Sequence, residues 1–411
     1  VGAKAREYFS NGVLVDNLPW DFTGAINRTK ALIAAKTPVI FEAAFAFAGC
    51  YARADILRLN PATERYQVFE VKSSTKLKDE HIHDIGLQVW VMAKAGLPIE
   101  QIHLMHLNTA CRYPDLSHLF TTLDITQTIR EHYLSVQPKV RDLLTLLQQS
   151  EEPIVDLGEH CLKPTECQFK AHCFTEKAIP ELSVFNLPGI KQRKWELYQA
   201  GIIALDDPRL TDLTEQQARI VKAHQTNRRF INEAGIASHL QTWQYPFIYL
   251  DFETINPAIP RYAGTGPFQQ VPFQFSVHRK EQADAKVTHQ AFLQTDAQDP
   301  RPALIPALLT ACGTEGSIIA YFAKFEADRI QELAEFAPEY ADALLALLPR
   351  MVDPLTVLRE HVYDPAFNAS FSLKRVAPAL LGEKQSYEGM LVANGLEAQQ
   401  AFLQVINPLT S

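Results

Sequence analysis

The chain has 411 residues, 47% hydrophobic and 21% charged, with a formal net charge of −8. This is enough apolar material for two or three cored domains, and it excludes a disordered or low-complexity chain. The acidic excess lies downstream, with 19 acidic against 12 basic side chains in residues 246–411, which argues against a broad non-specific nucleic-acid surface there. Clustered metal-binding carboxylates would, however, make such a region acidic in any case. No run approaches the roughly 20 apolar residues of a membrane span, and no basic-then-apolar leader opens the chain, so no membrane partner and a cytoplasmic location are expected. The chain opens on Val1 rather than Met, which leaves room for a preceding segment.

In chain order, residues 38–59 alternate apolar and small residues, Asn60-Pro61-Ala62-Thr63-Glu64 breaks the pattern, and Tyr66 to Lys72 resumes it, which predicts a hairpin. Ile82, Ile85, Leu87, Val89 and Met92 give residues 79–95 helical spacing; 101–108 reads as a strand and 125–149 as a helix. A cysteine loop occupies 151–180, a helical region 181–245, and an α/β pattern 246–411. The expected fold class is α/β and multidomain, with boundaries near 150, 180 and 245.

The first acidic set lies in the hairpin. Residues two apart on a strand share a face, so Glu70 and Lys72 point one way while Phe69 and Val71 pack inward. Asp55 on the partner strand can meet them, and Gln88 on the following helix faces the same place. Two carboxylates can hold a divalent cation such as Mg2+ or Mn2+ against a scissile phosphate, and a lysine can orient water or offset transition-state charge. Glu42 is either a further carboxylate or an exposed strand-end residue. The plain alternative is an exposed hairpin with a surface Glu–Lys pair. Asp, about fifteen residues, Glu-x-Lys, then a helical Gln resembles the PD-(D/E)XK nuclease superfamily in its RecB-type branch. That resemblance implies a restriction-endonuclease-like domain over 1–150, with Asp55, Glu70 and Lys72 catalytic and Gln88 supporting them.

Cys161, Cys167 and Cys173 bunch within thirteen positions, which suggests metal. Candidate fourth ligands are Cys50, Cys111, His160, His172 or a cysteine preceding Val1; surface thiols are the alternative. Several RecB-type nucleases carry a four-cysteine [4Fe–4S] cluster with three C-terminal cysteines and one far N-terminal. The resemblance thus implies such a cluster here, with Zn2+ in a Cys3His site as the alternative metal. Further on, Leu187-Pro188-Gly189-Ile190-Lys191 is followed by Gly201-Ile202, which resembles a helix-hairpin-helix DNA-binding element. Gly189 would let backbone N–H groups approach a phosphate, and Lys191 and Lys194 would add charge. The usual second glycine is replaced near Lys191. A plain helix-turn-helix packing element is the alternative.

The second acidic set begins at Tyr249-Leu250-Asp251-Phe252-Glu253, where alternation puts Asp251 and Glu253 on one strand face. Tyr321-Phe322-Ala323-Lys324-Phe325-Glu326 leads a strand into a helix headed by Glu326. Three carboxylates can share two metals. Together these segments resemble the DEDD exonuclease superfamily, which implies a ribonuclease-H-like domain over 246–411. With the Pro272-Phe273-Gln274-Phe275-Ser276 strand and Ser370-Phe371-Ser372-Leu373-Lys374, the whole chain resembles a bacterial family of unknown function that joins a RecB-type nuclease, a cysteine cluster and this exonuclease-like domain. Glu326 stands where most DEDD enzymes use Asp, and the superfamily's final Asp does not occur before Ser411, so either it lies beyond that residue or the domain is catalytically incomplete. Asp353, before Pro354, reads as a helix N-cap rather than a ligand; Asp328 and Lys374 read as surface residues, and no histidine is assigned.

The expected function is therefore a metal-dependent nuclease cleaving DNA at Asp55, Glu70 and Lys72. Two alternatives stay open: an exonuclease acting through the downstream site on single-stranded DNA or RNA, and an inactive nucleic-acid-binding scaffold. Repair, CRISPR-linked processing and phage defence all fit; protein partners are open.

Overall fold

A computed structural model describes residues 1–382, 389, 391–392 and 394–407, so the last residues of the expected 246–411 region lie outside the described residues. Among the described residues the protein is mixed α/β, with three sheets and 14 α-helices. It divides into two compact units, Val1–Val155 with Pro257–Gln269, and Asp156–Asn256 with the chain from Gln270 onward. No helix among the described residues is long and apolar enough to cross a membrane.

The first unit runs α1 (Gly2–Arg6), β1 (Gly12–Leu14), α2 (Phe22–Ala34), β2 (Val39–Phe47), β3 (Cys50–Asn60), β4 (Arg65–Lys72), α3 (Asp79–Lys94), β5 (Ile99–Leu107), β6 (Phe120–Asp124) and α4 (Thr126–Leu146). The strands form one six-stranded sheet in sequence order. The turn after β3 is set by Asn60, whose side chain accepts from Ala62 N–H at 3.0 Å, the self-bonding that makes Asn a turn residue. β4 and β5 pair in parallel, which requires a crossover, and α3 supplies it. Ile85, Val89, Trp90 and Met92 of α3 are buried against the sheet, each stabilising by about 1.5–3 kcal/mol. Residues 257–269 join this unit locally: Tyr113 N–H donates to Thr265 at 3.0 Å, and Ala258 and Ile259 pack with Leu107, Cys111 and Leu119.

The strands around the first acidic set break their alternation. On β2, Ile40 packs into the α3-side core and Phe41 into the opposite one, yet Ala43 and Ala44 both return to the α3 side. On β3, Ala54 and Leu57 face α3 while Ile56 between them faces away. The slip falls at Glu42 and Asp55, which stand opposite each other between the pairs Phe41–Ile56 and Ala43–Ala54. Glu42 takes a left-handed φ of 57°, a local kink that turns the strand without inserting a residue, since the register is the same on both sides.

The second unit contains α5 (Lys170–Glu176), α6 (Arg193–Gln199), α7 (Glu215–Thr226), β7 (Phe230–Ile231), α8 (Glu233–Leu240), β8 (Phe247–Ile255), β9 (Val271–Lys280), β10 (Thr288–Leu293), α9 (Arg301–Cys312), β11 (Ser317–Ile319), α10 (Lys324–Phe336), α11 (Ala341–Leu345), β12 (Met351–Val352), α12 (Pro354–His361), β13 (Val362–Tyr363), α13 (Leu373–Leu381) and α14 (Gly395–Ile406). Its main sheet has the order β10-β9-β8-β11-β12. The β10-β9-β8 part is antiparallel and the β8-β11-β12 part parallel. Ile248, Leu250 and Phe252 of β8 enter one core with α9 and α10. Val184, Leu187, Ile190, Ile202 and Ile220 form a second core with Leu355, Tyr363, Phe367 and Phe371.

Candidate functional site

In the first unit Tyr66 and Val68 of β4 face the α3-side core. Glu70 and Lys72 continue that row past the core's edge. The β3–β4 ladder ends at the pair Ile56–Phe69, so Asp55 falls opposite Glu70. There its carboxylate, not a backbone carbonyl, accepts the Val71 N–H, at 2.7 Å. The alternation slip is what turns Asp55 and Glu42 to the same face as Glu70. Glu70 is only 5% exposed. Its Oε1 accepts from Lys72 Nζ at 2.8 Å and from Gln88 Nε2 at 3.1 Å, while its Oε2 is buried with no hydrogen-bond partner.

Asp84, which the sequence motifs do not single out, completes the group. It accepts from Lys72 Nζ and, at 3.3 Å, from Gln88 Nε2. A signal for it exists in the chain, because Asp84 lies four residues before Gln88 and so shares its helix face. Burial, then the Glu70 charge, pushes the Asp55 carboxyl up to about 7, and the Val71 N–H only partly offsets this. Burial raises Glu70 as well, against the pull of Lys72. For Lys72 burial works downward, but the Glu70 and Asp84 carboxylates outweigh it and carry the ammonium up to about 12.

The second acidic set is built on strict alternation. Ile248, Leu250 and Phe252 are buried, so Tyr249, Asp251 and Glu253 share the opposite face of β8. β11 runs parallel beside β8 and delivers the chain to the first turn of α10, where Glu326 is 4% exposed with Oε2 buried and unpartnered. Burial, with the charges of Asp251 and Asp353 behind it, raises Glu326 to about 7. Burial also raises Asp251, and burial plus Asp251 raises Glu253. Glu253 Oε2 lies against the start of α14, 3.5 Å from where a Cβ on Gly395 would stand. Asp353 is a cap: it accepts from Leu355 N–H at 2.9 Å and also holds the N–H groups of Phe322 and Ala323. Asp328 pairs with Lys324 at 2.9 Å on the surface of α10.

Of the cysteines, Cys161 is buried with Leu157 and Trp195, Cys173 is half-buried and Cys167 is exposed. Their sulfurs do not all lie within 4.8 Å of one another. In the Pro-Gly hairpin, the segment before Leu187 is a single 3₁₀ turn, Val184–Asn186. Gly189 has φ 69° with open space around a built Cβ, so its glycine is needed for the left-handed backbone. Lys191 also has a left-handed φ, 45°, near the place of the second glycine in a helix-hairpin-helix element. Burial, then repulsion from Lys170 and Lys163, lowers the Lys194 pKa.

Among the described residues, the one group of three metal-capable side chains with ligand atoms within 4.8 Å is His239, Glu360 and His361. Asn232 Oδ1 takes the Gly235 N–H at 3.1 Å, so its amide nitrogen faces His361 Nδ1, at 3.3 Å. The other ring nitrogen of His361, Nε2, lies 3.6 Å from Glu360 Oε2. The group links α8 to α12 through the His239–Glu360 contact at 3.2 Å and the Asn232–His361 contact at 3.3 Å.

Residues 248–372, which hold Asp251, Glu253, Glu326 and Asp353, match a domain family described as a domain of unknown function, DUF2779. A curated relative, the uncharacterized protein UU173 of Ureaplasma parvum serovar 3, is 27% identical over 173 residues that cover 37% of this chain and 25% of the relative. The chain thus aligns with about a quarter of that protein's length. No solved structure matches the chain. These similarities place a segment of the chain beside a family whose function is itself open.

Proposed function

We propose that the protein is a metal-dependent nuclease that cleaves DNA at Asp55, Glu70 and Lys72. The observation that carries this is the orphaned, buried Glu70 Oε2 beside a second carboxylate whose pKa is raised to about 7. A buried carboxylate oxygen without a donor is costly unless a cation satisfies it. Asp55 and Glu70 present hard oxygens that fit Mg2+ or Mn2+, and among the described residues no three carboxylates gather within 4.8 Å. Two protein ligands with water completing the shell suit Mg2+. A βαβ crossover beside antiparallel strands, with the acids on β3 and β4, also accords with a PD-(D/E)XK fold.

A divalent cation bound there would place positive charge against the scissile phosphate and acidify water beside it. Lys72, held charged by two carboxylates, serves as a hydrogen-bond donor to phosphate oxygens and not as a general base. Gln88 and Asp84 fix the Lys72–Glu70 geometry, and Asp55 holds its carboxylate by the Val71 N–H, so the acids need little rearrangement to meet substrate.

A second centre at Asp251, Glu253 and Glu326 is favoured by the same kind of observation, the buried unpartnered Glu326 Oε2. It supports a ribonuclease-H-like, DEDD-type exonuclease acting on single-stranded DNA or RNA. The cysteine loop is proposed to hold a [4Fe–4S] cluster through Cys161, Cys167 and Cys173, with Zn2+ as the alternative. Incubating the protein with labelled DNA and RNA plus Mg2+ tests both centres. Loss of cleavage in Lys72→Ala but not in Asp251→Ala assigns the chemistry to the first centre; the reverse assigns it to the second. No cleavage by the wild type overturns the nuclease reading in favour of a binding scaffold.

A further inference from the structure

Five separate sequence segments meet in one cleft of the second unit. Pro188 of the Pro-Gly hairpin, Tyr321 and Phe322 before α10, and Ser370 to Leu373 at the start of α13 are among the residues lining a cavity of about 650 Å³. That is in the range of sites that take a drug-sized or nucleotide-sized ligand, roughly 300–1,000 Å³.

The wall includes an aromatic ring in an unusual state. Phe322 has φ 65° and is 53% exposed. The left-handed region is strained for a bulky side chain and is the natural home of Gly or Asn. The surroundings hold it there: the Asp353 carboxylate accepts the N–H groups of Phe322, at 3.0 Å, and Ala323, at 3.2 Å. Tyr321 Oη is fixed by donating to the Phe371 carbonyl. The fold thus holds a strained backbone, and the ring it presents gains little core burial in return. Such outliers motivate a search for a binding role. Arg359, exposed on α12, also lines the cleft, and among the described residues no ion pair or side-chain hydrogen bond holds its guanidinium. Phe322 directly precedes the N-cap of α10, the helix whose first turn carries Glu326 of the second centre.

We propose that this cleft binds an unpaired nucleotide of a single-stranded nucleic acid, with the base stacked on Phe322 and the neighbouring phosphate paired to Arg359. A ring inside a cleft reaches only a base whose face is free, so duplex is excluded. The inference rests on the nucleic-acid reading of the protein but not on catalysis.

The test is anisotropy of fluorescein-labelled oligo-dT, oligo-rU and a DNA duplex with the full chain in EDTA, for wild type, Phe322→Asn, Phe322→Trp and Arg359→Ala. Melting curves and a separate Mg2+ cleavage assay run in parallel. Phe322→Asn is expected to weaken single-strand binding about 5- to 100-fold, as loss of one stacked base does. Its melting temperature should be equal or higher, because Asn accepts the left-handed backbone. Phe322→Trp keeps binding, and Arg359→Ala lowers the slope of log affinity against log salt by about 0.7. Unchanged single-strand binding in Phe322→Asn overturns the inference, as does an equal loss of duplex and single-strand binding in that variant. If Phe322-dependent binding persists while the wild type cleaves nothing, the cleft stands and the nuclease reading falls. Cleavage without Phe322-dependent binding removes the cleft and leaves the nuclease reading standing.

Discussion

Lys72 Nζ donates to Glu70 Oε1 at 2.8 Å while Glu70 Oε2, on the same buried carboxylate, meets no donor at all. The lysine neutralises part of the charge but leaves the second oxygen without a donor. This asymmetry separates two roles that a surface ion pair would merge, and it yields a direct test. Mg2+ or Mn2+ should raise the melting temperature of the wild type by mass action. Glu70→Gln should abolish that shift. Lys72→Ala should keep the shift yet lower DNA cleavage by about 10²-fold or more, as loss of a transition-state donor does. A Glu70→Gln protein that still shows the metal-dependent shift would remove Glu70 from the ligand set.

The raised Asp55 pKa makes stability depend on pH. Folded Asp55 titrates near 7, against an ordinary value of 3.8. Between those values the folded protein keeps a proton that the unfolded chain has released, so stability falls as pH rises through that window, and the full penalty applies above about 7. Without divalent cation, Asp55→Asn should flatten this slope and be more stable than the wild type near pH 8 by about 1–3 kcal/mol. Urea melts across pH in EDTA measure it. Equal slopes in the two proteins would show that Asp55 does not titrate in this way.

In the proposed nuclease site Asp84 would position Lys72, from whose ammonium it accepts a hydrogen bond. Replacing it with Asn removes one of the two carboxylates that hold the ammonium up to about 12. Cleavage should fall about 3- to 10-fold near neutral pH, and the alkaline limb of its pH profile should move to lower pH. An equal loss at every pH would point to a merely structural contact.

Lys191 occupies a left-handed backbone position, with φ 45°, where glycine would be unstrained. Lys191→Gly should therefore stabilise the protein by about 0.5–1 kcal/mol. If the hairpin also touches phosphate, the same change should weaken DNA binding and lower its salt slope by about 0.9. Greater stability with unchanged DNA affinity would make the hairpin a packing element only.

Much of the architecture was legible in the chain, because it is carried by local periodicity. The hairpin through Lys72, the helix from Asp79, the strand near 101–108 and the placement of Asp251 and Glu253 on one face all follow from spacings of two or of three and four. Pro after Asp353 likewise foretold the cap that the Asp353 side chain makes. What the sequence could not give depends on departures from periodicity and on groups distant along the chain. Regular alternation would put Asp55 on the face opposite Ala54; only the paired slip at Glu42 and Asp55 turns it toward Glu70. The orphaned oxygens of Glu70 and Glu326 arise from burial by other elements. The meeting of Pro188, Phe322 and Ser370 in one cleft joins residues up to 182 positions apart. Periodicity is a property of neighbours, whereas desolvation, lone-pair satisfaction and convergence are properties of the packed chain, and those decide which of these acids and rings can act.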